Sequence, residues 1–234
     1  MKRASLLLIG GLIVIGLVAT YYVWLGPVSG SSRTRNLLAY LRKPQAYTDW
    51  VTPALQRCGD APFLMPTSGY IGYLWDDSFR PGHHHAGIDV FGGGEAGEVP
   101  VYAAYDGYLT RLADWKSTVI IRVPSDPLNP GTQVWTYYTH MADKNGSSFI
   151  VDTFPPGTSE VFVSAGTLLG YQGNYSGTSG NPTGVHLHFS IVRDDGAGGY
   201  LNELEISNTY DPSSYLGMPL NNQADGGTPV FCYP

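Results

Sequence analysis

The chain has 234 residues, with 30 glycines, 17 prolines and 17 tyrosines, and charged residues make up only 14% of it. Turn formers and aromatic strand formers in that proportion argue against a helical protein and predict one loop-rich, all-β domain plus appendages. A formal net charge of −6 argues against nucleic-acid binding, which calls for a basic patch.

Lys2 and Arg3 precede an uncharged run that reaches about Gly26 and ends in the aromatic group Tyr21, Tyr22 and Trp24. About 20 apolar residues cross a bilayer as a helix, and Tyr and Trp favour its interface. Residues 1–26 are therefore predicted to be one N-terminal transmembrane helix. The run is long for a cleaved signal, although Val28-Ser29-Gly30 offers a small-residue cleavage site that would release a secreted protein. Arg33, Arg35, Arg42 and Lys43 follow the run, and a positive-inside count would place them in the cytoplasm. Two features favour the opposite side. The basic pair abuts the apolar run, and Cys58 and Cys232 bracket the domain as one disulfide would in an oxidising compartment. The expected location is the cell membrane, single-pass, with the domain extracytoplasmic.

Residues 27–60 are expected to form a connector. It opens on a flexible Pro-Val-Ser-Gly-Ser-Ser stretch and contains a short helix over 35–41 with Leu37, Leu38 and Leu41 on one side. That apolar face would let the stretch from Arg33 to Pro62 pack over a groove and restrain activity. Residues 61–234 have a different texture. Short β-type runs at 70–74, 99–103, 107–112, 118–123, 134–139, 160–163, 168–171 and 186–192 alternate with Gly, Pro, Asn and Asp. This predicts an all-β fold of mainly antiparallel sheets forming a groove, with few short helices. The polar loops 124–131 and 142–158 are either rims of that groove or plain surface insertions.

Histidine placement carries the chemistry. In His186-Leu187-His188-Phe189-Ser190-Ile191-Val192, alternation puts His186, His188 and Ser190 on one face of a strand and Leu187, Phe189 and Ile191 on a core face. His85-Ala86-Gly87-Ile88-Asp89 reads as a loop running into a short strand, from which both His85 and Asp89 can reach one ion. Its neighbours His83 and His84 are alternative ligands, and His140 ends another β-type run. All six histidines thus have a place near a single site. Two imidazoles and a carboxylate suit zinc, which in catalytic sites takes three protein ligands and leaves the fourth position to water. A neutral imidazole can take that water's proton as it attacks a carbonyl, and a second can help to hold the oxyanion.

The order of these segments resembles the lysostaphin or LytM-type zinc endopeptidases of bacterial peptidoglycan, with their duplicated hybrid motif fold. The resembling stretches are Pro66-Thr67-Ser68-Gly69-Tyr70-Ile71, His84-His85-Ala86-Gly87-Ile88-Asp89-Val90 and Pro100-Val101-Tyr102-Ala103-Ala104-Tyr105-Asp106-Gly107. They continue with Tyr138-Thr139-His140-Met141, Ala165-Gly166-Thr167-Leu168-Leu169-Gly170, Gly173-Asn174 and Gly184-Val185-His186-Leu187-His188-Phe189. The resemblance implies a metalloendopeptidase domain over 61–234 that cuts peptide crosslinks. It implies one zinc ion per chain held by His85, Asp89 and His188, with His140 and His186 as the catalytic pair. Ser190 departs from the pattern, since the family commonly places a carboxylate after the His-Leu-His-Phe run.

Three rivals are weaker. An inactive peptidoglycan-binding or hydrolase-activating member of the same fold would lack a ligand or a catalytic histidine, and none is missing. A non-haem iron oxygenase also uses two histidines and a carboxylate, but takes its first two ligands from His-x-Asp and leaves His140 and His186 without a role. A cupin-like barrel would want a carboxylate where Ile191 and Val192 stand.

Overall fold

The computed structural model describes residues 32–77, 82–224 and 227–233. The expected transmembrane helix over 1–26 lies outside the described residues. Among those residues, no helix is long and apolar enough to cross a membrane.

The strands are β1 (Tyr70–Tyr73), β2 (Ile88–Phe91), β3 (Pro100–Tyr102), β4 (Gly107–Thr110), β5 (Val119–Val123), β6 (Val134–Thr139), β7 (Val161–Val163), β8 (Leu168–Tyr171), β9 (Leu187–Arg193) and β10 (Thr209–Tyr210). Eight of them form one sheet in the order β1-β2-β9-β6-β5-β4-β7, with β10 pairing with β9, while β3 and β8 form a ribbon of their own. Each of these pairings is antiparallel. The all-β expectation holds for the described residues.

Period-2 alternation sorts the faces. Leu187, Phe189 and Ile191 of β9 join Ile88 and Val90 of β2 and Val119, Ile121 and Val123 of β5 in the main core. Each such side chain contributes about 1.5–3 kcal/mol by leaving water. Tyr138 reaches this core fully buried, and its hydroxyl is satisfied by accepting from the Ala104 amide (2.9 Å) and donating to Thr136 (3.1 Å). On the opposite face Ile120, Trp135, Tyr137 and Val192 form a smaller cluster under Trp115 and Tyr200. That face carries the polar groove.

The helix α1 (Ser32–Arg42) is longer than expected and buries a different stripe. Arg33, Leu37 and Tyr40 face inward, while Leu38 and Leu41 are 38% and 40% exposed. The i, i+4, i+7 spacing of the inward residues defines one helical face. Leu37 and Tyr40 on it pack against Tyr70 and Phe91, and the Tyr40 hydroxyl donates to the Gly92 carbonyl at 3.0 Å. No described residue of the segment 32–60 lines the groove beside the histidines.

The far end of the domain is closed by a Cys58–Cys232 disulfide, with Cα atoms 5.2 Å apart. It sits against the helix α2 (Ser213–Leu216), which ends at Gly217 in the left-handed conformation, φ +66. A Cβ on Gly217 would meet the Cys58 Cβ and carbonyl oxygen at 2.8 Å. Only glycine satisfies both the turn and the contact.

Candidate metal centre

The strand register brings the two halves of the site together. Asp89 on β2 stands directly opposite His188 on β9, and Thr139 at the end of β6 stands opposite His188 on its other side. Their neighbours in sequence, Ile88, Val90, Leu187 and Phe189, point into the core, which leaves Asp89 and His188 on the groove face. Close approach of the strands depends on Gly87. A Cβ there would meet the Phe189 carbonyl oxygen at 2.3 Å, the Ser190 Cβ at 2.9 Å and His188 Nε2 at 3.0 Å. Gly87→Ala is expected to cost about 1–3 kcal/mol by overpacking and to weaken metal binding by parting Asp89 from His188. A denaturation curve and a metal titration on the same variant check both effects.

His85 arrives from outside the strands. Its amide donates to the Asp77 carbonyl at 3.0 Å and its carbonyl accepts from the Asp76 amide at 2.8 Å. Its Nδ1 lies 3.0 Å from the Leu74 carbonyl, and because a carbonyl only accepts, Nδ1 carries the proton and Nε2 is the free donor atom. His85 Nε2 is 3.1 Å from Asp89 Oδ1 and 3.1 Å from His188 Nδ1, which is itself 2.9 Å from Asp89 Oδ1. Among the described residues these three form a group able to hold a metal ion. Ligand atoms around a tetrahedral zinc with bonds of about 2.0–2.1 Å stand about 3.3 Å apart, so the triangle needs only small adjustment to accept one ion.

The electrostatics suit a divalent cation. Burial by itself would raise the Asp89 pKa. The charges of His85 and His186, with hydrogen bonds from His188 and His85, overcome this and hold the carboxyl well below its usual range. Burial lowers the His188 pKa, against the opposing pull of the Asp89 carboxylate. His85 differs. Its burial is outweighed by the Asp89 carboxylate and the Leu74 carbonyl, which raise its pKa.

His140 and His186 flank this group with ring centroids 4.5 Å apart. His140 has a left-handed backbone, φ 72, where β6 ends, and its Nδ1 lies 2.7 Å from the Tyr175 carbonyl. His186 sits one residue before β9, stacked on Phe91 at 4.9 Å, with Nδ1 2.7 Å from the Gly184 carbonyl and Nε2 3.6 Å from Asp89 Oδ1. Both Nδ1 atoms therefore act as donors, and a neutral ring in either place would keep its lone pair on Nε2. The other two histidines stand apart. His84 pairs with Asp76 at 2.5 Å on the surface, and His83 stacks on the His85 ring at 6.4 Å. Neither belongs to the three-donor group.

Burial, then the imidazoles of His186 and His188, push the His140 pKa down to about 3. An unfolded imidazole titrates near about 6.5, so between these values the unfolded chain accepts a proton that the folded chain refuses. The stability linked to His140 is complete above about pH 6.5 and is lost as pH falls toward the folded value. At pH 5 the loss is about 2 kcal/mol. In melts of chelator-treated protein at pH 7 and pH 5, the wild type should lose about that much more than His140→Gln.

A groove of about 390 Å³ runs from His140 and His188 past Tyr137, Thr139, Trp115, Tyr175 and Glu203. Neither loop 124–131 nor loop 142–158 contributes a lining residue, although Gly146 of the second lies against Lys116 and Tyr175, which do. Sequence reasoning missed the carbonyls of Leu74, Tyr175 and Gly184 that orient three imidazoles, since backbone acceptors leave no residue-type signal. It also missed Gln172, fully buried, which accepts from the Gly92 amide at 2.9 Å and donates to Thr67 Oγ1 at 2.9 Å. The buried Ser190 hydroxyl makes no hydrogen bond among the described residues, so the position where the resemblance calls for a carboxylate shows no contact of that kind with His188.

No protein-family model and no curated protein matches the sequence. Solved structures do match it. Helicobacter pylori Csd3 is 20% identical over 64% of this chain and 33% of its own length, with a TM-score of 0.40. The catalytic domain of the antimicrobial peptidase lysostaphin from Staphylococcus simulans is 22% identical over 63% and 90%, with a TM-score of 0.39. The catalytic domain of the prophage-encoded M23 protein EnpA from Enterococcus faecalis is 22% identical over 64% and 95%, with a TM-score of 0.37. The likeness is distant. The chain accounts for only a third of Csd3.

Proposed function

We propose that the chain is a zinc-dependent endopeptidase that hydrolyses peptide bonds in bacterial peptidoglycan crosslinks. His85, Asp89 and His188 are its metal ligands, and His140 and His186 its catalytic residues. A zinc ion held there supplies a Lewis acid that brings a water's pKa toward neutrality. The observation that carries the reading is the pairing of a three-donor triangle, with edges of 2.9–3.1 Å, with two imidazoles 4.5 Å apart whose Nδ1 atoms are held by backbone carbonyls. Neutral imidazoles so placed can take a proton from a nucleophile and return it to a departing amine. A groove of about 390 Å³ lies beside them and would be where a peptide substrate sits. The ligand assignment and the substrate follow the resemblance carried by the His-Ala-Gly-Ile-Asp and His-Leu-His segments.

Residues 1–26 would anchor the enzyme in the cell membrane with the catalytic domain outside the cytoplasm, and the Cys58–Cys232 disulfide supports an oxidising compartment. Metal analysis with digestion of purified peptidoglycan tests the proposal, expecting one zinc per chain and released crosslink fragments. Zinc without cleavage would favour an inactive binding or activating protein, and iron in place of zinc would overturn the reading.

A further inference from the structure

We propose that Arg33, at the start of α1, positions the metal ligand His85 through Asp77. This inference rests on the reading of His85 as a ligand. Arg33 is only 4% exposed, and a guanidinium taken out of water demands compensation. Its Nε lies 3.6 Å from Asp77 Oδ2, and its Nη2 donates to the Ala224 carbonyl at 3.3 Å. The same Asp77 oxygen accepts from the Leu74 amide at 2.8 Å, which closes the turn 74–77. That turn grips His85 at three atoms, its amide, its carbonyl and its Nδ1. A second thread from the same helix turn runs parallel. Thr34 hydrogen-bonds to Tyr73, whose ring meets His85 edge-on at 6.2 Å.

The helix thus bears on the one ligand that the sheet does not place. Without the Arg33 charge, the Asp77 carboxylate loses its buried counter-ion and the turn is free to relax. His85 Nε2 then leaves its 3.1 Å contacts with Asp89 and His188. Groups that orient a ligand from behind are typically worth about 10–100-fold in metal affinity.

Zinc dissociation constants of the full chain, measured by competition with a chromophoric chelator well below the melting temperature, test the proposal. Arg33→Gln is expected to weaken zinc binding about 10–100-fold. Arg33→Lys, which keeps a positive charge beside Asp77, should recover part of the loss. Leu37→Ala removes core contact from the same helix without touching the Asp77 pair. It should lower the melting temperature while leaving the constant within about twofold of wild type. Asp77→Asn serves if Arg33→Gln does not fold, with the same loss expected. A constant within twofold of wild type for Arg33→Gln or Asp77→Asn overturns the proposal, as does an equal weakening by Leu37→Ala. His85→Ala separates the two levels, because a variant that kept full zinc affinity would remove His85 as a ligand and take both readings with it.

Discussion

His186→Ala is expected to retain one zinc per chain and to lose about 10²–10⁴-fold in kcat, the usual contribution of a placed general acid or base. The distinction comes from position. His186 Nε2 stands 3.6 Å from Asp89 Oδ1 and is not one of the three mutually contacting donors. Its Nδ1 is committed to the Gly184 carbonyl, so Nε2 is the ring nitrogen left for chemistry that the substitution deletes. His140→Ala should behave alike, since its Nδ1 is committed to Tyr175. Because the two rings lie 4.5 Å apart, the double variant should lose much less than the product of the single losses if they act as one unit. Metal content and turnover measured on the same preparations decide the matter. Loss of zinc from His186→Ala would move His186 into the ligand set, and unchanged turnover would remove it from the chemistry.

The second large effect is on stability. The Cys58–Cys232 bond joins residues 174 apart in sequence, and chain-entropy reasoning for a loop of that length gives roughly 5 kcal/mol, with measured disulfides more often at about 2–4. The bond ties the entry of the domain to its far end. There Phe63 packs on Tyr215 at 5.0 Å and the Tyr233 amide donates to the Gly217 carbonyl at 2.9 Å. The double variant Cys58→Ser, Cys232→Ser should lose about 3–5 kcal/mol in urea denaturation, with a steeper denaturant dependence as the unfolded chain expands. A loss under about 1 kcal/mol would mean that the packing of Phe63, Tyr215 and Gly217 closes the domain unaided.

Much of this arrangement was legible in the residues. β6 and β8 occupy the expected stretches, and β9 differs from its expected stretch by one residue at each end, because alternation over a half-buried sheet is a strong local signal. The Gly87 between His85 and Asp89 was readable as a loop signal, but its role as a crossing point beneath Phe189 depends on a register that only the paired strands display. The helix face was misread for a related reason. Counting leucines favoured Leu38 and Leu41, whereas the surface available on Tyr70 and Phe91 rewarded the larger Tyr40 and admitted a paired arginine. Three hydrogen bonds to the turn 74–77 hold His85 beside Asp89 and His188, and Asp76 holds His84 at the surface, neither of which spacing can express.

The two proposed ligands on strands and the one on a turn do not share the same mechanical footing. β9 is bordered by β6 along one edge and by β2 and then β10 along the other, so opening it means breaking two ladders at once. Such segments are the last to exchange their amide hydrogens, while turns held by a few bonds exchange early. Asp89 and His188 therefore form the stationary jaw of the site and His85 the hinged one. If the proposed centre holds its ion there, release is expected to begin where His85 lifts away, on the side of α1.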